Sequence, residues 1–133
     1  SVLLSVPGIG TMDAAMILGE IGNISRFDKP CKLLAYAGLD PTVNQSGKFK
    51  ARSTKMSKRG SKTLRFALIN AAWQLSLRDP VFSDYYSLKR SQGLDHYGAL
   101  GHVAHKLVRV IFKLLSDNIP FSSPASSTSY PAS

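Results

Sequence analysis

The sequence predicts a mainly α-helical fold, a helix-hairpin-helix followed by a small helical bundle, and three observations lead there. Apolar residues recur at three- and four-residue spacing through 61–77 and 95–117, the period of a helix that buries one face. Breaks at Pro7-Gly8, Gly38, Asp79-Pro80 and Gly93 cut the chain into helix-length pieces. Between two of these pieces the apolar period disappears, and residues from about 41 to 56 read as a basic loop or short β-ribbon.

In chain order, two apolar segments flank Val6-Pro7-Gly8-Ile9-Gly10. Pro7 closes a first helix, the glycines permit a tight reversal, and residues 1–22 become the helix-hairpin-helix. The second helix has Ala14, Ile17, Leu18 and Ile21 on one stripe and Asp13 in its first turn, where a carboxylate suits the macrodipole. Pro30 can open another helix, which stops at Gly38 with Leu33, Leu34 and Ala37 inward. A long helix begins near Ser61 and turns Leu64, Leu68, Ala71 and Leu75 to the core, with Phe66 and Trp73 as packing residues. After Asp79-Pro80 a shorter helix presents Val81, Phe82, Tyr85 and Leu88. The run 95–117 is the clearest helix, with Val103, Leu107, Val110, Ile111 and Leu114 on one stripe and His102, Lys106, Arg109 and Lys113 along a positive edge. From Ile119 the sequence turns rich in Ser and Pro, so we divide the chain into a domain at 1–118 and a disordered tail at 119–133.

Charge narrows the function. Seventeen Lys and Arg oppose eight Asp and Glu, for a net +9 over 133 residues, which favours a polyanion such as DNA. An acidic membrane surface is the other polyanion. There is no run of 18 apolar residues and no signal-peptide pattern, so a soluble cytoplasmic protein without membrane contact is expected. Cys31 is the only cysteine, which excludes an internal disulfide and multi-cysteine zinc sites, and it reads as a core residue. His102 and His105 lack the i, i+4 spacing of a helical metal pair, and the scattered acids nominate no metal site or cofactor in this chain. The opening at Ser1, without methionine, suggests a piece of something longer.

Eight of the cations fall in 41–65, with no acid among them. Lys48, Lys50 and Arg52 alternate with Phe49, Ala51 and Ser53, so an extended segment would project them from one side. Lys55, Lys58, Arg59, Lys62 and Arg65 then crowd the start of a helix, where exposed cations cost about 0.3–1 kcal/mol each against the dipole. An arriving phosphate reverses that sign, because free backbone N–H groups and the dipole attract it as well. The turn at Gly8 and Gly10 offers a second set of amides to a phosphate; the same Pro-Gly-x-Gly pattern also serves as a plain structural turn.

Taken together, Val6 to Gly10, Ser25-Arg26-Phe27, Leu33 to Pro41, Gln45-Ser46-Gly47 and Met56 to Gly60 leading into Leu64-Arg65 resemble, in order, the C-terminal domain of the Piv/MooV-type DEDD insertion-sequence transposases. The resemblance spans about residues 1–115. It implies a domain that cuts and rejoins DNA through a serine nucleophile, with Ser46 the match, and a phosphoserine–DNA intermediate. It also implies Mg²⁺ held by a separate RuvC-like domain of the same or another protomer, homo-oligomers in the full-length protein, and in some members a guide RNA. The isolated piece is then expected to be inactive. Nothing near Ser46 in sequence activates it, and Ser53, Ser57 and Ser61 are rivals, the last two also reading as helix caps. A non-enzymatic nucleic-acid-binding module and an inactive mobile-element remnant are the alternatives.

Overall fold

The computed structural model describes residues 2–39 and 61–122, and there the chain is mainly helical. Among the described residues the α-helices are α1 (Thr11–Ile21), α2 (Pro30–Tyr36), α3 (Lys62–Arg78), α4 (Pro80–Ser91) and α5 (His96–Asp117), with 3-10 turns at Val2–Ser5 and Ile24–Arg26. The expected loop or ribbon at about 41–56, and residues 123–133 of the expected tail, lie outside the described residues.

The first arm of the hairpin differs from the sequence reading. Residues 2–5 form one 3-10 turn rather than an α-helix. Two i to i+3 bonds, Val6 N–H to Leu3 O and Ile9 N–H to Val6 O at 3.1 Å each, carry the chain through Pro7 into α1. Leu3, Val6 and Ile9 are buried, so the turn is a plug in the core. Helix α1 buries Ala14, Ile17 and Ile21 and leaves Leu18 at the edge. At its C-terminus Arg26 Nη1 donates to Ile21 O at 2.7 Å, a cation placed where the dipole is negative.

Helix α2 begins with Pro30 at its first turn and ends in a Schellman-type turn, in which Leu39 N–H reaches Leu34 O with Gly38 at φ +74°. Leu33, Leu34 and Ala37 are buried. Cys31 is exposed, contrary to expectation, because it lies on the flank of the stripe those three residues make.

Asp79 joins α3 to α4 in one residue. Its N–H closes α3 on Leu75 O, and its carboxylate accepts from Val81 N–H and Phe82 N–H. That cap sets the phase of α4, so the inward stripe is Phe82, Tyr85, Tyr86 and Lys89, while Val81 and Leu88 face solvent rather than the core. Phe66 is likewise exposed on the outer face of α3, not packed, whereas Trp73 packs against Tyr86 with the rings tilted and their centroids 5.4 Å apart. Asp95 caps α5 through Gly98 N–H at 2.7 Å, and Asn118 in the left-handed conformation ends it. Helix α5 runs through the middle, touching α2, α3, α4 and both 3-10 turns, and buries Val103, Leu107, Ile111 and Leu114 with Val110 half-buried. Beyond it the backbone returns to the first turn, where Phe121 N–H donates to Ser5 Oγ at 2.7 Å and the Phe121 ring joins the core's edge.

Candidate nucleic-acid interface

The two glycines of the hairpin have different tasks. Gly8 has φ +93°, and a Cβ there would fall 2.6 Å from Gln74 Cβ and 2.9 Å from the α3 backbone, so its bareness lets the turn sit on α3. Gly10 has φ −87° and open space around it, and it caps α1 with no side-chain hydrogen bond. Its carbonyl accepts from Ala14 N–H at 2.9 Å, which leaves the first-turn amides of Thr11, Met12 and Asp13 without an intrahelical acceptor. Asp13, in the same first turn, is buried and accepts from Asn70 Nδ2 of α3 at 3.2 Å.

The start of α3 is built otherwise. Ser61 N–H donates to Tyr36 O at 2.8 Å, and Ser61 Oγ accepts from Leu64 N–H at 2.9 Å, so the serine is the helix cap. The same hydroxyl donates to Glu20 Oε1 at the far end of α1. A carboxylate of the protein therefore stands at the α3 N-terminus, where cations and dipole were expected to call for an outside anion. Lys62 is exposed at the first helical position, and Arg65 is half-buried one turn on, its Nη1 lying 2.7 Å from where a Gly38 Cβ would be. Lys62, Arg65, Gly38, Ser61 and Glu20 thus meet at one corner. Gly10 lies ten residues from Glu20 along α1, or about 15 Å, so hairpin and corner are separate places.

Ser46, Lys48, Lys50, Arg52, Lys55, Lys58 and Arg59 fall outside the described residues. The segment that holds them leaves at Leu39 and re-enters at Ser61, and both ends are tied to α2, through Leu34 O and Tyr36 O. No three His, Cys, Asp or Glu side chains among the described residues are grouped to hold a metal ion. No helix among them is long and apolar enough to cross a membrane.

Residues 1–87 match the family model described as Transposase IS116/IS110/IS902 family. The chain belongs to that transposase family. Among its relatives is the insertion element IS110 uncharacterized 43.6 kDa protein of Streptomyces coelicolor, 32% identical over 92% of this chain and 30% of that protein. The pilin gene-inverting protein of Moraxella bovis is 30% identical over 91% of this chain and 38% of its own length. The transposase for insertion sequence element IS1111A of Coxiella burnetii is 31% identical over 84% and 31%. This transposase-family chain spans about a third of the length of these relatives.

Sequence reasoning missed Glu20 at the corner and the Asp13–Asn70 contact, which join residues 41 and 57 positions apart. The only local hint was that Glu20 is the one acid near the end of α1, the end at which an anion is disfavoured by its own helix.

Proposed function

We propose that this chain is the DNA-engaging, serine-bearing part of a transposase or site-specific recombinase, with Ser46 as nucleophile. The observation that carries the reading is the family match over residues 1–87, a span that includes Ser46 and the whole basic window. The corner adds support, because the segment bearing Ser46 is anchored at both ends beside Lys62 and Arg65.

In this mechanism Ser46 Oγ attacks a DNA phosphorus, one P–O ester bond breaks, and a strand end leaves as a hydroxyl. A hydroxyl of the second strand then attacks the phosphoserine and restores the serine. The serine proton passes to a base outside the described residues. Lys48, Lys50, Arg52, Lys55, Lys58, Arg59, Lys62 and Arg65 offset phosphate charge, and the bare Gly47 leaves room for the scissile backbone. Gly10 presents the open α1 amides to a second phosphate, while Gly8 holds the turn against α3. Mg²⁺ belongs to an RuvC-like domain of the same or another protomer in a homo-oligomer. No step above runs through a residue of this chain as its ligand. A guide RNA, where one is used, is a further polyanion for the same basic surfaces.

The experiment joins the chain to its acidic domain, adds Mg²⁺ and end-labelled duplex DNA, and resolves products on a denaturing gel. A covalent adduct is expected, and Ser46→Ala abolishes it while DNA binding stays within about twofold, since one neutral hydroxyl contributes little beside eight cations. An adduct that survives Ser46→Ala but is lost in Ser53→Ala or Ser57→Ala names a different serine. No adduct from the intact protein leaves a binding module or an inactive remnant.

A further inference from the structure

The α4–α5 hairpin carries a positive surface that the reading above does not use. Tyr85 stands at its centre. Lys89 Nζ lies 5.4 Å and Lys106 Nζ 4.7 Å from the centroid of its ring, so ammonium groups from two helices meet on one phenol. His102 is exposed one turn before Lys106, and Arg109 is exposed one turn after it. Lys113, which would extend the stripe, is paired with Asp117 at 2.8 Å and drops out.

An exposed cation–π contact of this kind contributes about 0.5–1 kcal/mol. Burial holds the Tyr85 phenol above its ordinary pKa, so it stays neutral beside the two ammonium groups. Although most of the His102 side chain is open to solvent, partial desolvation of its ring and then the Lys89 charge lower its pKa, and a proton on the imidazole is favoured again when an anion arrives.

We propose that Tyr85, Lys89, His102, Lys106 and Arg109 form a second contact for the phosphate backbone of duplex DNA, distinct from the corner at the start of α3. The proposal rests on the reading of the chain as DNA-engaging. His102 to Arg109 covers about 10 Å of helix, about three base-pair rises along the duplex axis at 3.4 Å each. A ring with two ammonium groups against it is a poor platform for an unpaired base. Phosphate contact to a duplex therefore suits it better than single-stranded nucleic acid, whose recognition leans on open aromatic faces.

The test measures binding of a short labelled duplex to the full 133-residue chain across a salt series, and follows the His102 ring by NMR through a pH titration. The double variant Lys89→Gln with Arg109→Gln is expected to flatten the slope of log K against log salt by about two, at about 0.9 per lost phosphate contact. Lys89→Arg keeps the wild-type slope. Duplex binding is expected to raise the His102 pKa, and so to tighten as pH falls through the imidazole range. An unchanged slope in a double variant that melts like the wild type overturns the proposal, and so does a His102 titration indifferent to duplex. A shift caused by an RNA hairpin but not by DNA overturns the choice of partner. Failure of the unaltered chain to bind any duplex also removes the function proposed above, whereas duplex binding with an unaltered slope removes only this surface.

Discussion

Helices α1 and α3 begin from the same electrostatic problem and solve it differently. Each has first-turn amides pointing out of the helix, and each stands where the sequence suggests a phosphate. At α3 the protein supplies its own partners, the Ser61 hydroxyl and, through it, the Glu20 carboxylate. At α1 the cap is Gly10, which has no side chain to offer and nothing packed around it. The fold places a carboxylate near both starts, Glu20 through the Ser61 cap at α3 and the buried Asp13, held by Asn70, in the first turn of α1; what differs is that the α3 start has a side-chain cap and the α1 start has none. On that ground the proposed phosphate contact through backbone amides belongs at α1, and the one proposed at the α3 corner rests on the side chains of Lys62 and Arg65.

The largest effect expected of any single substitution concerns the turn feeding α1. Gly8→Ala puts a Cβ on the α3 backbone at a positive φ, and strain with overpacking should cost about 3 kcal/mol. Gly10→Ala, two residues away, should cost under about 1 kcal/mol, as an ordinary loss of helix capping. Urea unfolding with unchanged slopes measures both. Equal losses at the two positions would erase the distinction between a packing glycine and an open one.

Next in size is the cap of α3. Ser61→Ala removes the acceptor for Leu64 N–H and strands Glu20, so stability should fall by about 1–2 kcal/mol. Glu20→Gln should cost less and should tighten duplex binding about two- to fivefold, because it takes a negative charge from the basic corner. A Glu20→Gln variant that binds more weakly would mean that the carboxylate orders the corner more than it screens it.

How much of this was legible in the sequence follows the same division. The stripes Leu64-Leu68-Ala71-Leu75 and Val103-Leu107-Ile111-Leu114 could be read because a strong helical period survives whatever it packs against. The caps at Ser61 and Asp79 are local, and so were visible or nearly so. Phe66, Val81 and Leu88 were misplaced because periodicity says that two faces exist, while tertiary packing chooses which one is covered. Gly8 and Gly10 sit in one motif, and what presses on the first and not the second is Gln74 and the α3 backbone beside it, more than sixty residues later. Glu20 escaped for the same reason, since its partner is set by how α1 lies on α3. The basic window was plain in composition, and its residues outside 61–65 owe nothing here to geometry.

A smaller effect tests the amides of α1 themselves. Gly10 has φ −87° and ψ −179°, a conformation that a β-branched residue adopts readily, so Gly10→Val should fold. Its side chain would stand over the first-turn amides and should weaken duplex binding about fivefold, the loss of one charge-assisted contact. Unchanged affinity in a folded variant would return this turn to a purely structural part.

The smallest effect has the most informative sign. Asp13 lies in the first turn of α1, where its carboxylate favours the helix and also opposes any phosphate approaching the same amides. Asp13→Asn keeps an amide oxygen for Asn70, with which the carboxylate shares contacts of 3.2 and 3.4 Å, and removes only the charge. Stability should fall by about 0.5–1 kcal/mol as the dipole loses its partner. Duplex affinity should move the other way, rising about two- to fourfold, because the phosphate no longer meets a like charge. A helix start that serves only the fold gives the first change without the second. Measuring melting and duplex binding on this one variant therefore separates an anion site at α1 from an ordinary uncapped helix.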